Sequence, residues 1–212
     1  MTVQRTVRIA VFGAWKKGRG MELFIERRKQ VLDIYERYKE IIPALYDDIV
    51  SECAYSLMSK DRQVSSYGMF LPHEDMKYAV GEYKGKLTKK AEIADFTYYF
   101  DSNDRVVLTQ RYGLDYLFYF YKEDRVEIVW YSLRRQRLER IALLQYEDQR
   151  VVSFMQTQTL PPHVETSNRD FAFFDYSFQY ADGELNLLLQ IRSMRPDGEL
   201  KKRSKPEKYP YH

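Results

Sequence analysis

This sequence is poor in cysteine and histidine and has no long apolar run. Among 212 residues there are one cysteine, Cys53, and three histidines, His73, His163 and His212. A single cysteine excludes an intramolecular disulfide and suits a reducing compartment, so we expect a cytoplasmic location. No apolar run approaches the roughly 18–20 residues that a spanning helix needs. We therefore expect no membrane span.

Patterns for nucleophilic catalysis and metal binding are also missing. Cys53 falls on an apolar helical stripe, where a buried thiol behaves as a small hydrophobe, and no local signature pairs it with His73 or His163. The cluster His73-Glu74-Asp75 lacks the i, i+4 histidine spacing of zinc hydrolases and reads as a polar loop. The sequence therefore predicts no enzyme activity and no metal site.

One glycine-containing segment has the outline of a phosphate-binding loop. Residues 13–20 follow a short strand pattern over 7–12 and precede a helix pattern, the layout that places backbone amides around an anion. Arg19 and Gly20 stand where a P-loop requires lysine and a hydroxyl side chain, and the dinucleotide motif is absent. No run of βα units follows, so we expect no bound cofactor.

Tyrosine is the residue in excess. The chain has 19 Tyr and 12 Phe but only 2 Trp, and 44% of its residues are apolar. Aromatic residues favour strands, and a tyrosine ring can be buried while its hydroxyl stays wet. The composition predicts much half-buried sheet; an aromatic binding surface is the alternative.

Charge is balanced overall but uneven along the chain. The net charge is +3. Residues 1–20 carry five basic and no acidic side chains, and residues 195–212 carry six basic and three acidic ones, so the middle is net acidic. Basic ends are usually solubilising tails, although they also suit phosphate polymers and acidic membranes.

Residues 22–58 have helical periodicity. One apolar stripe recurs at a period of 3.6 residues, and it consists of Phe24, Val31, Tyr35, Tyr38 and Ile42. Pro43 interrupts the pattern, as proline does at the start of a new helix. A second stripe at spacings of four then follows, with Leu45, Ile49, Cys53 and Leu57. The pattern predicts a helix pair, or one kinked helix, that packs one face onto a sheet.

The second half of the chain repeats a strand–turn–strand unit. An aromatic group, an acidic turn and Arg-Val recur at a spacing of about twenty residues, in 98–108, 118–128 and 144–151, with a degenerate copy at 178–185. Over residues 98–151 this unit resembles the YD (Rhs-type) repeat, carried mostly by 100–106 and 120–126. Asp104 and Asp124 stand where that repeat has its turn glycine. The resemblance implies local hairpin form, not the large shell that such repeats build elsewhere.

These patterns together predict an α+β fold. We expect a basic segment over 1–20, a single domain over 21–194 and a basic tail over 195–212. The domain would pack helices within 22–58 on a twisted antiparallel meander over 77–194. We expect short strands at 77–83 and 91–100, about eight strands in total, and partial closure into a barrel as an option.

The residue types favour binding over catalysis. A sheet rich in tyrosine and arginine offers the side chains enriched at protein interfaces, a composition shared by many small bacterial immunity and adaptor proteins. We expect a non-enzymatic protein of immunity or regulatory type that binds another protein, through a surface containing Trp130, Tyr131, Arg134, Arg135 and Arg137. The alternatives are single-stranded nucleic acid bound by Arg134–Arg140, and a small apolar ligand in an aromatic-lined curved sheet.

Overall fold

The chain forms one large β-sheet, and helices pack against it. A computed structural model describes residues 7–11, 19–59, 70–80, 86–90, 94–157, 171–181 and 184–194. The loops expected at 159–170 and after 194, and most of segment 13–20, lie outside these residues. The strands are β1 Val7–Val11, β2 Tyr55–Ser59, β3 Leu87–Thr88, β4 Phe96–Phe100, β5 Val106–Arg111, β6 Asp115–Tyr121, β7 Arg125–Ser132, β8 Arg137–Glu147, β9 Arg150–Thr157, β10 Phe171–Ala181 and β11 Glu184–Met194.

Two α-helices lie between β1 and β2 in the chain, and a third lies between β2 and β3. They are α1 Arg19–Tyr38, α2 Leu45–Glu52 and the single turn α3 Lys77–Val80, and 3-10 turns cover Ile42–Ala44 and Glu74–Met76. Among the described residues, no helix is long and apolar enough to cross a membrane.

The expected meander is confirmed. Strands β4 to β11 are eight consecutive neighbours in the sheet, and each is antiparallel to the next. Three further strands extend it: β2 and β3 beyond β4, and β1 beyond β11, which it joins in parallel. The described sheet ends at β1 on one side and at β3 on the other, so it is open, not a closed barrel.

The repeated hairpins form because their turns satisfy the backbone locally. In the first hairpin, Asp101 Oδ1 accepts hydrogen bonds from the backbone N–H groups of Asn103 and Arg105, each at 2.9 Å. Asp104 takes a left-handed φ of 59°, a conformation that Asp tolerates better than most side chains. Asp104 therefore adopts a backbone conformation that glycine often fills in turns. The resemblance to the YD repeat stays a prediction.

The helical prediction over 22–58 is wrong at its C-terminal end. Helix α2 ends at Glu52, Cys53 is extended, and Tyr55–Ser59 pairs with β4 as a strand. Ile49 packs in the core beneath the helices, whereas Leu57 packs against the core on the other side of the sheet. One continuous helix could not place both side chains, so tertiary packing overrides the spacing of four.

The strand expected at 77–83 is also wrong where the structure describes it. Residues Glu74–Met76 form a 3-10 turn that continues into α3. His73 caps this turn, because its Nδ1 accepts a hydrogen bond from the backbone N–H of Asp75 at 3.2 Å. The run of acidic residues after a capping side chain suits a helical start better than a strand. Residues 81–83 lie outside the described part.

Both faces of the sheet carry a hydrophobic core. The helix-covered face packs against α1 and α2 through Val31, Ile34, Tyr38, Ile42, Leu108, Phe118, Val129, Ile141, Met155 and Phe173. The opposite face packs against residues 70–80 through Met76, Tyr98, Leu117, Tyr119, Ile128, Trp130, Leu144, Phe154, Phe178 and Leu185. Coverage of both faces explains why β6 and β7 read as nearly continuous apolar runs, not as a clean alternation.

The segment 70–80 contacts strands near both ends of the meander. The ring of Phe70 packs edge-on against Phe100 of β4, with centroids 5.3 Å apart, and Asp75 Oδ2 accepts a 2.8 Å hydrogen bond from Tyr180 Oη on β10. Strands β4 and β10 are six positions apart. One short segment therefore joins strands that are distant from each other in the sheet.

Candidate protein-interaction surface

The five residues expected to form an interaction surface do not share one surface. Trp130 and Tyr131 are buried, Trp130 in the core of the opposite face and Tyr131 in the core of the helix-covered face. Consecutive strand residues point to opposite faces, which is why the pair is split. Neither ring is available to a partner in this structure.

The three arginines do lie together, at one end of the sheet. Arg134 and Arg135 are exposed in the β7–β8 turn, and Arg137 is exposed at the start of β8. Arg135 Nη1 and Arg137 Nε donate to the two oxygens of Glu139, each at 2.8 Å. One carboxylate therefore holds two guanidinium groups in place.

A second turn lies directly beside these arginines. The β5–β6 turn contains Tyr112, Gly113 and Leu114, and it closes through a 3.0 Å hydrogen bond from Leu114 N to Arg111 O. Gly113 has a φ of +68°, which a residue with a side chain rarely adopts. Leu133 N of the β7–β8 turn donates to Leu114 O at 2.9 Å, which fixes the two turns to each other.

The β5–β6 turn presents the most exposed large apolar side chain of the described residues. Tyr112 is 76% exposed and Leu114 is 41% exposed. We use the name turn surface for five exposed residues of the two joined turns, Tyr112, Leu114, Arg134, Arg135 and Arg137. Tyr112 and Leu114 are not among the residues that the sequence predicts for this surface. The available signal was a glycine between two strand patterns, because the residues of a tight turn cannot point into the core.

A separate polar cluster lies between α1 and the sheet. Glu127 of β7 is fully buried and accepts from Arg37 Nη1 at 2.7 and 2.9 Å, from Arg125 Nε at 3.0 Å and from Tyr38 Oη at 3.0 Å. Burial alone would favour the neutral acid, but the hydrogen bonds from the two arginines and the tyrosine outweigh it and lower the pKa of Glu127. Burial, with the nearby Glu127 charge, raises the pKa of Tyr38 to about 12.

The cleft beside Glu127 is small. Its volume is about 110 Å³, and Asp33 and Gln30 of α1 line it together with Gln145 of β8. Drug-sized ligands occupy pockets of about 300–1,000 Å³, and the Glu127 carboxylate already accepts four hydrogen bonds. The arrangement fastens α1 to the sheet and does not resemble an acid–base pair awaiting a substrate.

A second polar contact fastens the same helix nearer its N-terminus. Arg27 is almost fully buried, and its Nη1 donates to Gln145 Oε1 at 2.8 Å. Its Nη2 donates to Ser153 Oγ at 3.3 Å and lies 3.8 Å from Asp175 Oδ1. These contacts join α1 to β8, β9 and β10, so the cluster is a structural anchor.

Other sequence candidates have local roles in the structure. Cys53 Sγ donates to Val50 O at 3.2 Å at the end of α2. Within the described ranges, no group of three or more His, Cys, Asp or Glu side chains could hold a metal ion. His163 lies outside those ranges. On the opposite face, the aromatic side chains pack against Phe70 and Leu71.

No family model, curated protein or solved structure matches this chain.

Proposed function

We propose that this chain is a non-enzymatic protein-binding module, of the immunity or regulatory type, that contacts another protein through the turn surface. The observation that carries the proposal is the exposure of Tyr112 and Leu114 on a turn that is hydrogen-bonded to the arginine-bearing turn. Tyrosine and arginine are the residue types that dominate binding energy at protein interfaces.

The rigidity of the two turns supports the same function. Each turn is closed by local hydrogen bonds, and Ser132 Oγ accepts from Arg135 N at 3.3 Å. A surface that is ordered before binding loses less conformational entropy when a partner arrives. Tyr112 and Leu114 would form the apolar core of an interface, and the arginines of the turn surface would form its charged rim.

Single-stranded nucleic acid is the second candidate, favoured by the exposed Tyr112 ring beside Arg134, Arg135 and Arg137. Such binding combines a basic groove with several aromatic stacking platforms along the strand. Trp130 is buried, so the turn surface offers one aromatic ring among its five residues. We therefore rank nucleic acid below protein.

The test compares capture by the wild type with capture by a turn-surface variant. Tagged wild-type protein and Y112S/L114S would be incubated with lysate from the native host, with and without nuclease, and bound material identified by mass spectrometry. We expect one dominant protein that survives nuclease and is lost with Y112S/L114S. The matched control is I25S/I41S, which removes two similarly exposed apolar side chains elsewhere. Equal loss with both variants, or capture that disappears with nuclease, would contradict the proposal.

A further inference from the structure

The turn surface has an excess of positive charge at fixed positions. Glu139 accepts one hydrogen bond from Arg135 and one from Arg137. A guanidinium has five N–H donors and no acceptor. Most donors of the two side chains therefore remain for other acceptors, and one carboxylate does not neutralise two guanidinium groups. Arg134 adds a third exposed positive charge on the same turn.

The position of Glu139 in the strand keeps these two arginines in place. The pairing of β7 with β8 shifts register between Trp130, opposite Arg140, and Tyr131, opposite Leu138. Glu139 is thus the extra residue of a β-bulge, a feature that re-aims a side chain. Its carboxylate reaches Arg135 in the turn and Arg137 in the strand at the same distance of 2.8 Å. Arginine held in this way loses less rotamer freedom when it binds a second carboxylate.

On the basis of the proposed function, we infer that the partner presents an acidic segment. The carboxylates of this segment bind Arg135 and Arg137, and one of its apolar side chains packs on Tyr112 and Leu114. Guanidinium groups pair with carboxylates through two parallel hydrogen bonds. Phosphate has similar geometry, but a phosphate polymer gains little from Leu114. The combination of leucine, tyrosine and spare guanidinium donors fits a segment that alternates Asp or Glu with apolar residues.

The test selects peptides without assuming a partner. A phage library of random peptides of about 12 residues would be panned on the wild type, on R135Q/R137Q, on Y112S/L114S and on R105Q/R150Q. The last variant is matched in charge, because it removes two exposed arginines at the other end of the sheet, Arg105 in the β4–β5 turn and Arg150 at the start of β9. Thermal unfolding of each variant would confirm that it folds. Synthetic copies of enriched peptides, and an oligothymidylate of similar length, would then be measured by fluorescence anisotropy.

We expect peptides enriched in Asp or Glu and in apolar residues. They should bind R135Q/R137Q about tenfold or more weakly, equivalent to about 1.4 kcal/mol, and R105Q/R150Q as tightly as the wild type. Enriched peptides that have no excess of Asp or Glu, and whose binding is lost only in Y112S/L114S, would contradict the acidic partner. The turn surface would still be the binding site. Enrichment equal on the wild type and Y112S/L114S, or none at all, would overturn the proposed function as well. Tighter binding of the oligothymidylate, lost in R135Q/R137Q, would reassign the surface to nucleic acid.

Discussion

Replacing Glu127 by glutamine should loosen the attachment of α1 to the sheet. The substitution E127Q keeps the shape of the side chain but removes its charge and half of its acceptors. Arg37, Arg125 and Tyr38 all donate to this carboxylate. A fully buried ion pair that loses one partner costs about 3–5 kcal/mol. Arg37 and Arg125 are 43% and 35% exposed, so water can replace part of what they lose.

We therefore expect E127Q to lower the free energy of unfolding by about 2–3 kcal/mol, which is below the value for a fully buried pair. In a chain of this length that loss corresponds to roughly 4–12 °C in Tm. Urea unfolding followed by circular dichroism at neutral pH would measure it. The matched control is E139Q, because Glu139 also bridges two arginines but does so at the surface. Its cost should stay within about 1 kcal/mol.

The same interaction gives stability a defined pH dependence. The folded pKa of Glu127 lies below its ordinary value of 4.5. The stabilisation is therefore complete above the unfolded pKa and is lost as the pH falls through the folded one. The difference in stability between wild type and E127Q should be constant near neutrality and shrink below about pH 4.5. Equal costs for E127Q and E139Q, or a difference that does not change in acid, would refute the reasoning.

Three further substitutions test the turns and the core by urea unfolding. Gly113→Ala should cost about 1–2 kcal/mol, because a Cβ there meets no atom within 4 Å and only the left-handed backbone opposes it; no loss would mean that the turn relaxes. Phe118→Ala should cost about 3–5 kcal/mol, since its ring is fully buried beneath the helices, and a cost below 1 kcal/mol would place it outside a packed core. Asp101→Ala should cost about 1–2 kcal/mol by removing the two hydrogen bonds that its carboxylate accepts from backbone N–H groups and the 2.7 Å ion pair with Arg105; an unchanged midpoint would show that the turn closes without them.

The hairpins could be predicted because their information is local. An acidic residue that bonds its own backbone, flanked by aromatic and β-branched runs, is sufficient to define a strand–turn–strand unit. The unit around Asp101 and the unit around Asp124 are both present in the structure. Local rules also placed the apolar stripe of α1, where Val31 and Tyr38 are buried.

The failures have a common physical origin in contacts between distant segments. The spacing of four between Ile49, Cys53 and Leu57 is helical, but pairing with β4 moves Leu57 to the other face of the sheet. The sequence led us to expect Trp130 and Tyr131 to be exposed, because one sequence does not show that both faces of their strand are covered. Glu127 could not be singled out among many glutamates, since its partner Arg37 lies ninety residues away on another element.

The parallel pairing of the first strand with the last imposes an order on assembly. Val7 lies opposite Leu185, and every residue of β1 pairs only with β11 among the described strands. At ribosomal rates of about 5–20 residues per second, Leu185 is synthesised roughly 10–35 s after Val7. Hairpins between sequence neighbours form in microseconds. The meander β4 to β11 can therefore form strand by strand before β1 docks on β11. Until that moment β11 would be an unprotected edge, and β1 is the segment of the same chain that covers it.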